Sequence, residues 1–271
     1  PAGDSVPVAD LPLLDRWMLQ RTAEVMDEIT TAFESYEFFR FFQLLQNYCV
    51  TDLSNFYLDI AKDRLYVSAP ADRRRRSCQT VMALIIERLA GLISPVLCHM
   101  AEDIWQNLPY SVGEVSVFQR GWPTVPQEWR DESLSAPVQE LRDLRAAVNK
   151  VLEECRSRQE LGASLESAVR IEARKPELKS ALDWLRDNGD AGVDGLRDWL
   201  LVSQLQLGGE PWAELLASQD DANAVIEVSR ARGIKCDRCW HYEGDVGQHP
   251  GQVTVCGRCV GILERRTHQR A

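Results

Sequence analysis

Four cysteines near the end of the chain are the residues whose spacing predicts chemistry most specifically. They form two Cys-x-x-Cys pairs, Cys236–Cys239 and Cys256–Cys259, separated by sixteen residues. Two such pairs are typical of a zinc site, because each pair lies on a tight turn that directs two sulfurs toward one point. Four thiolates complete a tetrahedral shell and leave no position for a catalytic water. The sequence therefore predicts one structural Zn²⁺ per chain and no catalytic residue at the metal.

Trp240 and two histidines lie beside the predicted zinc ligands. An indole next to a small metal site can cap the metal core, or it can stand exposed as a stacking platform for a nucleic-acid base. Its chemistry alone leaves both interpretations open. His241 and His249 could each replace a cysteine as a ligand, although four thiolates already complete the shell. We therefore expect the four cysteines, and neither histidine, to bind the metal.

The net charge is distributed unevenly along the chain. The total is −10, but eight basic and only four acidic residues follow position 229, which leaves −14 for residues 1–229. A basic end on an acidic chain is typical of a focused contact with an anion rather than of general adhesion to nucleic acid. The other four cysteines are isolated among apolar residues, and we expect them to be buried free thiols. Free thiols together with a zinc site predict a reducing, cytoplasmic location.

The composition is that of a globular chain of about two domains. It has 271 residues, of which 45% are hydrophobic and 27% charged. No run approaches the roughly eighteen apolar residues of a membrane helix, so we expect no membrane contact. The start lacks an initiator Met and a signal peptide, which suggests a piece of a longer chain. The sequence contains no Gly-rich phosphate loop and no nucleophile or metalloprotease motif, so we expect it to be non-catalytic by itself.

Hydrophobic periodicity predicts a mainly α fold, an antiparallel helical bundle followed by a small α/β junction domain and a C-terminal zinc finger with four cysteine ligands. The predicted helices are 12–34, 37–66, 72–93, 95–108, 136–160 and 176–188, and the predicted strands are 167–173, 200–207 and 225–230. Proline and glycine mark a connector between the bundle and the junction domain, which Trp122 and Trp129 are expected to pin to the bundle. The predicted domains are 1–108 (bundle), 109–135 (connector), 136–230 (junction) and 231–271 (finger).

Two groups of basic residues in the predicted bundle could contact phosphates. The run Arg73–Arg76 opens a predicted helix, where its charge opposes the helix dipole, so a contact with RNA would explain its position. A solvated helix start is the alternative. Lys62 and Arg64 lie near the end of the preceding helix, where basic residues suit the dipole and require no function. RNA contact is the second interpretation for both.

Several segments resemble one family of enzymes. Leu14-Asp-Arg-Trp-Met-Leu19, Lys62-Asp-Arg-Leu-Tyr66 and the stretch 47–59 are similar to the anticodon-binding bundle of bacterial isoleucyl-tRNA synthetases, which belong to class I. The segments 148–153 and 161–169 resemble the junction domain of that family. Lys235-Cys-Asp-Arg-Cys-Trp-His241 and Val255-Cys-Gly-Arg-Cys-Val260 resemble its C-terminal zinc finger, which separates it from the related enzymes for valine, leucine and methionine. The resemblance covers nearly the whole chain.

This resemblance implies a tRNA-binding role. The partners would be the anticodon stem-loop of the isoleucine tRNA and the missing N-terminal catalytic body of the same chain, which would bind ATP, and the protein would be a monomer. The tryptophan after the second cysteine would contact the anticodon, with arginines attracting phosphates. The implied RNA-binding residues are Trp240, Arg238, Arg258, Arg265, Arg266, Arg73, Arg74, Lys62 and Arg64. Two alternatives are a DNA glycosylase of the formamidopyrimidine type, which ends in a similar finger, and a zinc-dependent protein-interaction module.

Overall fold

A computed structural model describes residues 4–110, 112–190 and 194–268, with side chains as far as Arg265. Contacts between Cα atoms divide the chain into two units. The helical unit consists of residues 1–61 and 71–132, and the mixed unit consists of residues 62–70 and 133–271. Residues 62–70 therefore group with the C-terminal part of the chain. The predicted four-part division at 108, 135 and 230 stays a prediction.

The helical unit is built from amphipathic helices joined by short turns. Helix α1 spans Leu13–Glu34, α4 spans Arg73–Ile93 and α5 spans Cys98–Gln106. Between α1 and α4 lies one long helical run, α2 at Phe38–Asn47, a π-helical stretch at Tyr48–Leu58 and α3 at Asp59–Val67, whose last residues enter the mixed unit. The four helices predicted for the bundle are thus present, with the second one interrupted by π-helical geometry.

Polar side chains of the π-helical stretch bond to α1. The Tyr57 hydroxyl donates to Asp15 Oδ1 at 2.5 Å, and the Tyr48 and Thr22 hydroxyls are 2.6 Å apart. Burial raises the pKa of the Tyr48 hydroxyl, so it stays protonated at neutral pH. These buried polar groups are paired, which avoids the cost of unsatisfied donors and acceptors in an apolar core. They fix the register between α1 and the long helical run.

Two tryptophans attach the connector to the rest of the helical unit. Trp129 is 1% exposed and lies under the Arg88 guanidinium, 5.6 Å from the ring centroid. The Trp122 indole donates from Nε1 to Thr30 Oγ1 at 3.0 Å and packs edge-on against Phe33. The predicted role of both tryptophans is confirmed. The connector is otherwise made of short 3-10 turns at Val117–Gln119, Gln127–Trp129 and Glu132–Leu134.

The mixed unit contains a four-stranded sheet backed by helices. Its helices are α6 at Ser135–Ser157, α7 at Pro176–Asn188 and α8 at Leu196–Leu200; its strands are β1 at Ser167–Ala173, β2 at Gln204–Leu207, β3 at Ala217–Asp220 and β4 at Ala224–Arg230. The strand order is β2-β1-β4-β3, with β1 and β2 parallel and the other pairs antiparallel. The apolar face of the sheet, which includes Val169 and Val228, is buried. The hairpin strands β5 at Ile234–Lys235 and β6 at Tyr242–Glu243, and α9 at Gly257–His268, complete the unit.

The observed class is mainly α with a small mixed sheet and a C-terminal cysteine cluster, as predicted. Two local expectations were wrong. The predicted strand 200–207 begins only at Gln204, because Leu196–Leu200 form a helical turn that ends at Leu201 with φ 56°. The predicted burial of the four isolated cysteines holds for Cys78 and Cys155, whereas Cys49 is half-buried and Cys98 is exposed at the first position of α5.

Strand β3, which reads Ala-Ser-Gln-Asp, was not predicted at all because it lacks the β-branched and aromatic residues that mark strands.

None of the helices in the described ranges combines the length and the apolar content that a membrane crossing requires.

Candidate metal centre and nucleic-acid interface

The four predicted zinc ligands converge in the mixed unit. The Sγ atoms of Cys236, Cys239, Cys256 and Cys259 all lie within 4.8 Å of one another, and all four residues are buried. The Sγ atoms of Cys239 and Cys256 are 3.7 Å apart. A tetrahedral zinc with Zn–S bonds of about 2.3 Å requires sulfur–sulfur separations of about 3.8 Å. The residues therefore fit a closed four-thiolate zinc site.

Backbone hydrogen bonds shape the two turns that carry the cysteines. Trp240 donates its N–H to the Cys236 carbonyl at 2.9 Å, which closes the first turn. The Cys256 N–H donates to Cys236 Sγ at 3.3 Å, so the second turn approaches the sulfur of the first. Gly257 lies where a Cβ would come within 2.7 Å of Asp245 Oδ2, which accepts the Gly257 N–H at 2.8 Å. A larger residue here would displace the Asp245 carboxylate, which caps the start of α9.

The electrostatics of the cluster favour a bound cation. Contact with Cys259, followed by His241 and Arg258, lowers the pKa of the Cys239 thiol to about 2. Burial and the neighbouring thiolates raise the pKa of Cys256 to about 11, and the contact with Cys239 raises that of Cys259. One thiolate thus opposes the ionisation of the next in this buried space. A divalent cation relieves that repulsion, because metal binding requires and stabilises the deprotonated sulfurs.

Neither histidine joins the ligand group. Among the described residues, the group of side chains that could hold this metal consists of the four cysteines. His241 is buried with Nδ1 3.3 Å from the Cys239 carbonyl oxygen, and His249 Nε2 lies 3.1 Å from Asp245 Oδ2. Both rings therefore support the loops around the site. The alternative in which a histidine replaces a cysteine has no support in this geometry.

Trp240 projects from the first cysteine turn into solvent. Its side chain is 62% exposed, and its φ of 67° places the backbone in the left-handed region that favours glycine. Lys235 Nζ lies 5.8 Å from the centroid of the ring, within the range of a cation–π contact. Of the two interpretations left open by the sequence, the geometry agrees with the exposed platform and not with a cap over the metal core.

Comparison with known proteins agrees with this site. Residues 15–172 match the anticodon-binding domain of tRNA ligases, and residues 233–261 match the zinc finger found in formamidopyrimidine-DNA glycosylase and isoleucyl-tRNA synthetase. The first match covers more than half of the chain. This chain belongs to the family of tRNA-ligase anticodon-binding domains. The predicted resemblance to the isoleucine enzyme is confirmed by its relatives.

The chain spans about 28% of the length of the curated relatives it matches. It is 82% identical to the isoleucine–tRNA ligase of Parasynechococcus marenigrum over 99% of the chain, and 76% identical to that of Prochlorococcus marinus strain MIT 9313 over 98%. It is also 73% identical to the corresponding ligase of Synechococcus strain CC9311 over 98% of the chain. The zinc-finger match and the cysteine geometry together indicate a structural zinc in this family member.

Two of the predicted RNA-binding arginines are paired within the mixed unit, although Arg258 is exposed and Arg238 half-buried. Arg238 donates from Nη2 to the Val67 carbonyl at 2.5 Å, and its Nη1 lies 3.8 Å from Cys259 Sγ. Arg258 donates two hydrogen bonds of 2.8 Å to the carboxylate of Asp63. Burial alone would lower the pKa of Arg258, but the contacts with Asp63 and the Cys239 sulfur raise it above its usual value. Both guanidinium groups are therefore charged and engaged within the mixed unit.

The other basic candidates of the mixed unit differ in exposure. Lys62 and Arg265 are exposed, whereas Arg64 is 1% exposed and lies 3.7 Å from the buried carboxylate of Asp194. A side chain buried against a carboxylate does not present its charge to RNA, so we remove Arg64 from the candidate interface. Arg266 lies in α9, but its side chain is outside the described residues.

The arginine run of the helical unit begins α4. Asp72 caps this helix by accepting the Arg74 N–H at 2.9 Å, which places a carboxylate where the helix dipole favours one. Arg73 is exposed and donates to the Asp10 carbonyl at 2.5 Å, and Arg76 pairs with Asp4 at 2.7 Å. These contacts offset the unfavourable interaction expected between the positive charge of Arg73–Arg76 and the helix dipole. RNA contact by Arg73 and by the half-buried Arg74 stays a prediction.

Sequence reasoning missed the segment 62–70 as part of the metal site. Val67 and Ala69 belong to the same buried cluster as the four cysteines, and Asp63 pairs with Arg258. Asp63 and Val67 are 195 and 171 residues from their arginine partners, so no local pattern reveals the contact. The one sequence feature that could have indicated a role for these arginines at the metal site is the form Cys-x-Arg-Cys, which both cysteine pairs share.

Proposed function

We propose that this chain binds the anticodon stem-loop of the isoleucine tRNA, as the tRNA-binding part of an isoleucine–tRNA ligase. The observation that carries the proposal is the exposed Trp240, held beside the four-cysteine cluster in a chain of the anticodon-binding family. Single-stranded RNA loops are recognised by splaying out their bases and stacking them on aromatic side chains. A tryptophan fixed on a rigid mount offers such a surface at little entropic cost.

The mixed unit supplies the groups for this contact. The Trp240 indole stacks on an unpaired base of the loop, and Lys235, beside the ring, attracts the adjacent phosphate. Lys62 and Arg265 add exposed positive charge, and Arg266 completes the proposed set of this unit. Arg73 and Arg74 are the separate candidates of the helical unit. Arg238 and Arg258 act indirectly, because their guanidinium groups are paired within the chain. One Zn²⁺ per chain, held by the four thiolates, rigidifies a segment too short to fold by itself.

Catalysis belongs to other parts of the parent ligase under this proposal. The names of the relatives describe the activity of the whole enzyme. ATP and isoleucine would bind to its remaining portion, and this chain would hold the tRNA. We further propose that the protein acts as a monomer in the cytoplasm, where translation enzymes encounter tRNA. The four cysteine sulfurs fill the coordination shell, so the metal has no position for a reacting group.

Two alternative functions have less support. A glycosylase of the formamidopyrimidine type shares the finger, but residues 15–172 match the anticodon-binding family, which that alternative does not explain. A zinc-dependent protein-interaction module does not explain the match to the anticodon-binding family either. We keep both as outcomes of the test below.

A gel-shift comparison tests the proposal. The chain should retard the isoleucine tRNA at lower concentrations than a tRNA of another specificity or a DNA duplex. Preference for the duplex would favour the glycosylase alternative, and retardation of none of the three would favour the protein-interaction module. Cys256→Ser should lose zinc and tRNA binding together, because the zinc-bound cysteine turns no longer hold Trp240 in place. Full zinc content and full tRNA binding in that variant would contradict the role of the cluster.

A further inference from the structure

The two Cys-x-Arg-Cys turns place their arginines in equivalent positions. Arg238 precedes the second cysteine of the first turn, and Arg258 precedes the second cysteine of the second turn. Arg238 reaches across to the other turn, where its Nη1 lies 3.8 Å from Cys259 Sγ. Arg258, on that other turn, holds its guanidinium against Asp63 and favours the ionised Cys239 sulfur electrostatically.

The same two side chains also hold the segment 62–70, which ends α3. Arg258 binds both carboxylate oxygens of Asp63, and Arg238 donates to the carbonyl of Val67, the last residue of the helix. The last carbonyls of a helix lack intrahelical partners, and a cation there also suits the helix dipole. Val67 and Ala69 bury their side chains in the cluster with the cysteines. The arginines thus link sulfur on one side to the end of α3 on the other.

The charges of the three parts are opposite in sign where they meet. Four thiolates around one Zn²⁺ carry a formal excess of about two negative charges. The Arg238 guanidinium lies at one of these sulfurs, and the Arg258 guanidinium pairs with the Asp63 carboxylate; hydrogen bonds of this kind orient metal ligands and their surroundings. Without the metal, the sulfurs no longer tie the two cysteine turns to one point. The arginines that these turns carry then no longer hold residues 62–70 in a fixed position.

We propose that Arg238 and Arg258 are positioning residues that couple zinc binding to the order of residues 62–70. They stabilise the metal at the thiolates. Through them, zinc binding orders the end of α3, including the exposed Lys62. This assigns to both arginines a role different from direct contact with RNA. The inference rests on the zinc site proposed above, but it does not depend on the identity of the RNA.

The experiment uses the zinc-loaded chain with three substitutions, Arg238→Gln, Arg258→Gln and Asp63→Asn. Asp63→Asn alters no residue of the cysteine turns, so it tests the coupling even if an arginine variant fails to fold. Arg265→Gln is the matched control, because Arg265 is exposed and lies two turns beyond Arg258 on the same face of α9. Zinc content is measured first, then the rate of zinc transfer to a chromogenic chelator. Hydrogen exchange is followed in peptides from 62–70 and from α1.

Arg238→Gln and Arg258→Gln should each weaken zinc binding by about 10- to 100-fold, the usual effect of removing a residue next to a metal ligand, and so speed its transfer to the chelator. Asp63→Asn should speed zinc loss in the same direction, because it releases Arg258. The three substitutions should also speed exchange in 62–70, and chelation of zinc from the unsubstituted chain should do the same. Arg265→Gln should change neither rate, and α1 should exchange as before.

Unchanged exchange in 62–70 after chelation, or unchanged zinc loss in Asp63→Asn, would overturn the coupling. A purified chain without zinc would overturn both this inference and the proposed mount. Intact coupling in a chain that fails to prefer the isoleucine tRNA would contradict only the proposed function.

Discussion

Trp240 combines a large exposed indole with a backbone conformation that costs energy. A non-glycine residue in the left-handed region is disfavoured, and such outliers gather at functional sites. The turn needs this conformation, because the Trp240 N–H closes it onto the Cys236 carbonyl. Glycine would satisfy the turn with less strain. The presence of tryptophan at this position therefore favours a function for the side chain.

Substitutions of Trp240 should separate the strain from the function. Trp240→Gly and Trp240→Ala both remove the indole, but only alanine retains the unfavourable left-handed backbone. We expect the glycine variant to be more stable than the alanine variant by about 1 kcal/mol, since the smaller strain outweighs the greater freedom of glycine in the unfolded chain. Denaturant unfolding of the zinc-loaded variants measures the difference. An alanine variant that is the more stable by about 0.4–1 kcal/mol, its advantage in unfolded-chain entropy alone, would show that the turn carries no strain at this residue.

The ligand set could be predicted from the sequence, whereas the roles of its neighbours could not. The spacing of the cysteines alone indicates a tetrahedral site, because short loops bring paired sulfurs together in any fold. The exposure of Trp240 depends on one backbone angle, which residue type does not determine. The pairing of Arg258 depends on Asp63, 195 residues away. Long-range partners of this kind become visible only once the chain is folded.

At the scale of elements, periodicity predicted the amphipathic helices well. The heptad-like spacing of apolar residues gives α1, α4, α6 and α7 nearly at their observed bounds. The π-helical geometry of 48–58 was invisible, because the apolar stripe of a helix changes little when the hydrogen-bond register shifts. Short polar strands such as β3 also lack a signal, since pairing with β4 stabilises them rather than their own residues.

The connector offers an element-scale prediction. Trp129 is 1% exposed, so Trp129→Ala leaves a cavity in the helical unit and should destabilise it by about 3–5 kcal/mol. Trp122→Ala is the matched control, because Trp122 is 37% exposed and should cost considerably less. Urea unfolding followed by circular dichroism, which reports mainly on helices, measures both. A loss in Trp129→Ala as small as the loss expected of Trp122→Ala would mean that Trp129 does not anchor the connector.

At the scale of the whole molecule, the strongly acidic balance limits how the chain can bind RNA. The total charge of −10 opposes general adhesion to a polyanion, while the residues after position 229 carry a net +4. The proposed tRNA binding would therefore depend on few phosphate contacts and on base stacking. The composition predicted this balance correctly, but not which cations are accessible: Arg64 is buried and Lys62 is exposed, two positions apart in one helix.

The salt dependence of tRNA binding tests this distribution of charge. Arg265→Gln should reduce the slope of log K against log salt by about 0.7 to 1, the loss of one phosphate contact. Arg186→Gln serves as the control, because Arg186 is equally a surface arginine but pairs with Asp183 and Asp187 on α7. Its slope should match that of the unsubstituted chain. An identical slope for Arg265→Gln would place Arg265 outside the interface.

A tRNA with a substituted anticodon shows whether Trp240 reads the anticodon, as proposed. The affinity of the unsubstituted chain and of Trp240→Ala is determined for the isoleucine tRNA and for the same tRNA with a substituted anticodon. Loss of stacking of about 1–3 kcal/mol should weaken the binding of the isoleucine tRNA by about 5- to 150-fold. The affinity for the substituted tRNA should change less, so the two affinities converge in the variant. Undiminished preference for the isoleucine tRNA in a zinc-loaded Trp240→Ala chain would contradict the account.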